Sequence, residues 1–437
     1  MIGRAFRDME REGSFDLEAL ESATKDVMLR CGALALERLL EYADGSAPDK
    51  TCVCGGIFSV QKRVGKTIMT VMGPVRIART YQRCGDCGSW RVPEDTVLDV
   101  EKTGFSPGLR RMMARTGAEV CFDKARDMIR ELAGIEITDK DVERIAEAIG
   151  ADIARKEEEK KEAAMADELP DSNEKPLILY IAPDGTGVPV LKRETEGRKG
   201  KSADGIARTR EVKLGAIFTQ TYKDKKGRPV RDPFSTSYVG KIESAEDFGK
   251  RLYAEAHQRG LANAKQVVVI GDGAQWLWNL ADLHFGKAVQ ILDYYHACEY
   301  IHKLAKTLYP EDELGRKRWL KPLLDCLWDG EIERVFTMLR SLKLKGKKKE
   351  IAEEMISYFE NNKNRMKYDE YRAKNLFIGS GVVEAGCKSV IGQRLKQSGM
   401  HWSVRGANSI IALRCCIESG NFESYWESRV RSGRRAA

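Results

Sequence analysis

Three acidic residues, Asp184, Asp272 and Glu384, each stand beside small residues where an apolar run ends or a helix begins. Asp184 closes the apolar run 177–182 and precedes Gly185-Thr186-Gly187. Asp272 follows Val267-Val268-Val269-Ile270-Gly271 and precedes Gly273-Ala274. Glu384 lies in Gly379-Ser380-Gly381-Val382-Val383-Glu384-Ala385-Gly386-Cys387-Lys388, where a glycine-rich turn leads into a helix. Carboxylates delivered by strand ends and one helix are hard oxygen donors of the kind that hold paired divalent cations on a phosphate. Any one of them alone reads as a cap or turn residue. Three in the same setting read as a site.

A second set of candidate ligands is softer. Cys52-Val53-Cys54 and Cys84-Gly85-Asp86-Cys87 are separated by 29 residues of strand-like pattern, and each pair is followed by glycine. Four thiolates from two tight turns suit tetrahedral Zn2+ at a closed structural site. The first pair is a shorter C-x-C than the usual C-x-x-C. A redox role would need a surrounding βαβ unit, which this pattern lacks. Lys62, Arg63, Arg76, Arg79 and Arg83 in the same module suit contact with nucleic acid.

The chain that positions these residues has 437 residues, enough for two or three cores. It has no apolar run long enough to span a membrane and no apolar block at Met1-Ile2-Gly3-Arg4-Ala5-Phe6-Arg7, so a cytoplasmic protein with reduced thiols is expected. The net charge of +8 is unevenly placed: residues 371–437 carry 11 Lys+Arg against 4 Asp+Glu, and residues 192–231 carry 13 against 5. Basic segments beside acids suit a polyanion brought to a metal site. For single lysines a solvated helix face explains as much.

Leu17, Leu20, Val27, Cys31, Leu34 and Leu39 predict a helix over 16–43, stopped by the turn at 44–48. Short strands are expected at 58–64, 67–72 and 75–81, with Gly65 and Gly73-Pro74 as turns. Helices follow at 122–133 and 139–149, with Thr138 as N-cap. They read equally as a helix-turn-helix or as a plain helical hairpin, since the second helix is poor in positive charge. A polar stretch at 156–175 reads as a solvated helix end and linker. Beyond it, strands at 176–183, 211–222, 235–242, 266–271 and 289–293 with a helix at 244–259 give an α/β order. Residues 297–378 carry only helical patterns, with Trp319, Leu323, Leu327, Val335, Leu339, Ile351, Met355 and Phe359 as core.

The segments Asp184-Gly185-Thr186-Gly187-Val188-Pro189, Thr209-Arg210-Glu211-Val212-Lys213-Leu214-Gly215, Gly271-Asp272-Gly273-Ala274-Gln275-Trp276, Asp293-Tyr294-Tyr295-His296 and the block 379–406 together resemble bacterial insertion-sequence transposases of the ISKra type. The resemblance implies an α/β RNase H-like catalytic core with an all-helical insertion, carrying Asp184, Asp272 and Glu384 as a DDE triad on Mg2+ or Mn2+. It divides the chain into an N-terminal helical segment (1–49), a zinc ribbon (50–98), a helical module like a helix-turn-helix (99–155) and the linker (156–175). The core follows in two parts (176–296 and 379–426) around the insertion (297–378), and a basic tail closes the chain (427–437). Asp293 and His296 match the D-x-x-H pattern of Mutator-like relatives. That pattern implies that Asp293 orients a metal-bound water and His296 touches the scissile phosphate or a flanking base; a structural histidine is the alternative. Contacts to double-stranded DNA, the element's ends and its target, fall to Arg198, Lys199, Lys201 and Arg210, and to Lys388, Arg394, Lys396, Trp402 and Arg405, with Trp402 stacking on a base or sitting in the core. A homodimer or larger assembly at the nucleoid is implied as well. The alternatives are an RNase H-like nuclease that cuts without joining, and a catalytically silent DNA-binding descendant.

Overall fold

The computed structural model describes residues 16–42, 50–200 and 204–435; the turn expected at 44–48, Lys201 and the two chain ends lie outside them. The chain forms two compact units, Met1–Ile149 with Asn421–Ala437, and Gly150–Gly420.

In the first unit, helix α1 (Leu17–Tyr42) is followed by an antiparallel ladder of β1 (Phe58–Thr70) and β2 (Gly73–Cys84), edged by the short β3 (Trp90–Arg91). The two strands expected around Gly65 are one. Gly65 pairs with Ala78 inside the ladder, and a Cβ there would lie 2.8 Å from Arg76 Nε, so glycine makes room for a crossing guanidinium instead of turning the chain. The apolar stripe expected on α1 is also not its packed face. Ala33, Leu36 and Leu40 meet Ile68, Val75, Ile77 and Val100, while Leu17, Leu34 and Leu39 stay about two-thirds exposed. The helix is apolar on more than one side, and the sheet takes the side where Gly32 and Ala33 allow close approach.

Four helices complete the run: α2 (Pro93–Val97), α3 (Pro107–Glu119), α4 (Phe122–Ala133) and α5 (Asp139–Met165). Ser106 caps α3 through its side chain, and Gly134 ends α4 at φ +72°. Thr138 caps α5 as expected, accepting from Asp141 N–H, while its own N–H donates to the Asp141 carboxylate. Lys140 and Arg144 near the start of α5 are engaged with Glu143 and Asp141. Helix α5 runs 16 residues past its expected end, through the first part of the expected linker. Burial decides this. Glu158 and Glu243 pair with the guanidinium of Arg251, which is 2% exposed, and Lys160 pairs with Glu255. The polar stretch is therefore half sequestered in ion pairs.

The second unit is built on a five-stranded mixed sheet: β4 (Ile178–Pro189), β5 (Thr209–Gln220), β8 (Ser237–Lys241), β9 (Gln266–Gly271) and β10 (Val289–Leu292), with a small separate ribbon of β6 (Tyr222–Lys223) and β7 (Pro229–Val230). Its spatial order is β10-β9-β4-β5-β8, antiparallel from β4 to β8 and parallel from β4 to β10. All five strands were expected. Strand β4 continues past its buried run because Gly185 and Gly187 leave space for Glu211 and Thr209 across the ladder. Helices α6 (Ala245–Gln258) and α7 (Gln275–His284) connect the later strands.

Helices then follow as α8 (Tyr294–Leu308), α9 (Glu313–Trp328), α10 (Ile332–Arg340), α11 (Lys347–Asn362) and α12 (Tyr368–Ala373). Leu323, Leu327, Val335, Leu339, Met355 and Phe359 are buried as expected; Trp319 and Ile351 are half-buried. Helix α13 (Gly381–Gly386) passes into a π-helical segment, Cys387–Gly392, and a last turn at Gln393–Leu395. Helix α14 (Val404–Glu418) packs against the sheet, and α15 (Phe422–Arg435) belongs to the first unit. Arg414 on α14 is 1% exposed and donates to the Ser389 and Val390 carbonyls of the π-helical segment.

Within the second unit, α5 and α14 approach at Gly150, where a Cβ would lie 2.0 Å from the Ser409 carbonyl oxygen. The obstacle is backbone and cannot swing aside. Gly150→Ala should therefore lower unfolding free energy by about 3 kcal/mol or more, read by urea unfolding, despite the higher helix propensity of alanine.

Candidate active site and metal centre

The cysteine cluster is made by two tight turns. Cys52 N–H donates to Gly56 O and Gly55 N–H to Cys52 O; Gly88 N–H donates to Cys84 O and Cys84 N–H to Ser89 O. Gly55 and Gly88 take positive φ, +90° and +72°, where a side chain would be strained. These turns gather all four Sγ atoms within 4.8 Å of one another. Cys52 and Cys87 Sγ are 3.6 Å apart, as are Cys54 and Cys84 Sγ. Zn–S bonds of ~2.3 Å in a tetrahedron place sulfurs about 3.8 Å apart, whereas a disulfide needs ~2.0 Å. The cluster could thus hold a metal ion such as zinc. The Ser89 hydroxyl, followed by the Ser89 backbone, pulls the Cys87 thiol down to about 6, which favours the thiolate a metal requires.

The acidic trio lies in the second unit. Strands β4 and β9 pair in parallel with Ile181 beside Val269, so three further residues along each chain bring Asp184 level with Asp272. Asp184 is half-buried; Oδ1 accepts from Gly185 N–H at 2.6 Å, and Oδ2 faces the Cys387 thiol at 3.3 Å. Burial pushes the Asp184 carboxyl up, the negative charge of Asp272 adds to that, and the Gly185 and Cys387 contacts oppose it. Burial likewise pushes the Cys387 thiol up, with Asp184 and, more weakly, Glu384 contributing. Asp272 accepts from Ala274 N–H at 3.0 Å, and its backbone carbonyl accepts from Tyr358 Oη at 2.5 Å. Glu384 is exposed. All three acids are therefore within one electrostatic neighbourhood. Their oxygens do not close on a common point, however: among the described residues the cysteines form the one ligand group gathered within 4.8 Å.

Asp293 departs from its expected role. It is 0% exposed, and both of its carboxylate oxygens already accept from protein donors. Oδ1 caps α8 by accepting from His296 N–H at 2.9 Å. Oδ2 accepts from the Ser380 N–H, and its own N–H donates to Gly271 O at 2.8 Å. The Ser380 hydroxyl lies against Asp293 Oδ2 and, at 3.1 Å, against Glu384 Oε1, so one proton is shared between two carboxylates. Ser380 thus links Asp293 to Glu384. His296 is half-exposed, with Nδ1 3.4 Å from Glu299 and its ring edge-on to Tyr300.

The basic residues divide. Arg198, Lys199, Lys388, Lys396 and Arg405 are exposed, and Lys396 Nζ reaches Thr186 Oγ1, two residues beyond Asp184. Arg210 is half-buried and donates to Glu194 O. Arg394 and Trp402 do not face solvent: they are 0% and 7% exposed, with the guanidinium 5.0 Å from the indole ring centre. Trp402 donates through Nε1 to Leu395 O, and its backbone extends the end of β4. Neither offers surface to a phosphate or a base. Ser380, Cys387 and Tyr358 went unassigned in the sequence; the first two sat inside the quoted glycine-rich block, and Tyr358 had no pattern to mark it.

Two outcomes test this geometry. Metal analysis of the purified chain should find about one zinc ion, and none in the Cys84→Ser variant. Asp293→Ala leaves the buried Ser380 N–H and the start of α8 without their acceptor. It should lower unfolding free energy by about 3 kcal/mol, against about 1 for Ser380→Ala.

Comparison with known proteins supplies a family and little more. A model of the uncharacterised protein family UPF0236 matches residues 11–429. A UPF0236 protein of Caldanaerobacter subterraneus subsp. tengcongensis, whose name joins eleven loci, is 23% identical over 421 residues, covering 95% of this chain and 80% of its own. A UPF0236 protein from the vanSb 3' region of Streptococcus gallolyticus is 22% identical over 427 residues, covering 94% and 85%. Among solved structures, the Drosophila P element transposase strand transfer complex matches with a TM-score of 0.26 and 9% identity, over 76% of this chain and 83% of that one. With the family model spanning nearly all of its length, the chain belongs to UPF0236.

Proposed function

We propose that this protein is a DDE transposase that cleaves the ends of an insertion sequence and joins the freed 3'-OH ends to target DNA. The observation that carries the reading is the sheet. Three antiparallel strands followed by two parallel ones, in the order β10-β9-β4-β5-β8, is the order expected of an RNase H-like core, and it supports the reading together with Asp184 on the first strand of the sheet and Asp272 directly after the fourth. Glu384 follows on α13 after the helices 294–373. The eleven loci in one relative's name also favour it, since a gene repeated across one genome is what a self-moving element leaves behind.

Oxygen donors on Asp184, Asp272 and Glu384 suit Mg2+ or Mn2+ and not zinc. When bound, such ions supply an activated nucleophilic oxygen and neutralise charge on the leaving one. The chain's own groups do the rest. Ser380, held by Asp293, sets the rotamer of Glu384; the Cys387 thiol and Gly185 N–H orient Asp184. With Nδ1 turned to Glu299, His296 has Nε2 to offer a phosphate oxygen. Lys396, Lys388, Arg405, Arg198 and Lys199 are placed to hold the backbone of the duplex. Joining requires two ends in one complex, so the active form is a dimer or larger.

The reading is tested on labelled duplex carrying the element's end, with Mg2+. Cleavage and strand-transfer products should both appear, and Asp184→Ala, Asp272→Ala and Glu384→Ala should each reduce them by about a thousandfold or more. Retained activity in any two of these variants overturns the triad. Cleavage with no joined product makes the protein a nuclease; DNA binding with no product makes it a silent descendant.

A further inference from the structure

We propose that the lysine-rich segment leading into α11 is a second grip on the DNA backbone, about half a helical turn from the point of chemistry. The inference rests on the active-site reading above.

Residues 343–349 hold Lys343, Lys345, Lys347, Lys348 and Lys349, all exposed. Only Lys349 has an acidic partner, Glu353 at 3.5 Å; among the described residues the other four make no ion pair. Five like charges held this close raise one another's energy unless an anion is near. The segment is built to present them. Leu342 and Leu344 are half-buried and alternate with the exposed Lys343 and Lys345, so the apolar residues anchor the loop while the ammonium groups point outward. Gly346, at φ +55°, turns the chain into α11, and the remaining lysines occupy the first turn of that helix.

The other end of α11 reaches the acids. Tyr358 stacks on Tyr300 with ring centres 4.2 Å apart and donates to the Asp272 carbonyl. Eleven residues separate Lys347 from Tyr358, which is about 16 Å along a helix axis. A B-form duplex turns once in ~34 Å, so one straight helix spaces the lysines from Asp272 by roughly half a turn. Phosphates of a duplex seated at Asp272 come within reach of flexible lysine side chains there. A bilayer fits less well, because no large apolar side chain is exposed between residues 342 and 365 for insertion.

The test is fluorescence anisotropy of the full chain on a 40-base-pair duplex without divalent cation, over a salt series. Replacing Lys343, Lys345, Lys347 and Lys348 by Gln should make the slope of log Kobs against log[salt] shallower by about 3 to 4. Replacing the same four by Arg should keep the wild-type slope, and both variants should melt like wild type. An unchanged slope in the Gln variant overturns the proposal, as does loss of binding to phosphatidylserine vesicles with DNA binding intact. Because no Mg2+ is added, the outcome is independent of the triad: a shallower slope with no Mg2+-dependent cleavage keeps the lysines as a DNA contact and removes the transposase reading, and with it the spacing from a point of chemistry.

Discussion

A carboxylate withdrawn from water with no cation beside it must be met by N–H and O–H donors, and Asp293 is the place where this requirement organises the second unit. Its backbone donates to Gly271, next to Asp272; one oxygen starts α8, and the other seizes the turn that precedes Glu384. Three segments far apart in the chain, 271–272, 293–296 and 380–384, are registered by one buried residue through its backbone and its side chain. Burial also explains why an aspartate does this work: each oxygen accepts from a backbone amide in a medium that strengthens such bonds.

The two candidate metal sites contrast in how they are held without a metal. In the cysteine cluster, hydrogen-bonded turns pull the sulfurs to nearly the spacing a tetrahedral ion needs. Around the sheet, carboxylates raise one another's energy, and only the strand register keeps Asp184 and Asp272 level. Glu384, on a helix and exposed, is met through one oxygen by the Ser380 hydroxyl.

Much of this was legible in the residues. Apolar runs marked β4, β5 and β9, whose buried residues run on without alternation because both faces are covered. Thr138 announced its helix through the side-chain oxygen it offers to a free N–H. Cysteine spacing marked the four ligands that do cluster. What could not be read depended on partners distant in sequence. Gly65 resembled a turn until Arg76 was seen across the ladder, and the face of α1 was chosen by a sheet that begins 16 residues later. Residues 156–165 read as a solvated helix end, because Arg251, whose ion pair sequesters Glu158, is more than 80 residues away. Arg394 and Trp402 are the sharpest case: an arginine beside an aromatic has the same composition whether it reads DNA or stacks on its neighbour in a core.

The over-wide turn after Glu384 has a consequence of its own. Hydrogen bonding from i to i+5 over Cys387–Gly392 gives this stretch more chain per revolution than an α-helix uses. Beyond it, Arg394 is sunk in the core and cannot rotate, while Arg414 clasps the segment's carbonyls. Surplus length is thus trapped between Glu384 and a fixed anchor. Loss of a single residue there would wind the segment tighter and turn Glu384 about the helix axis relative to Arg394.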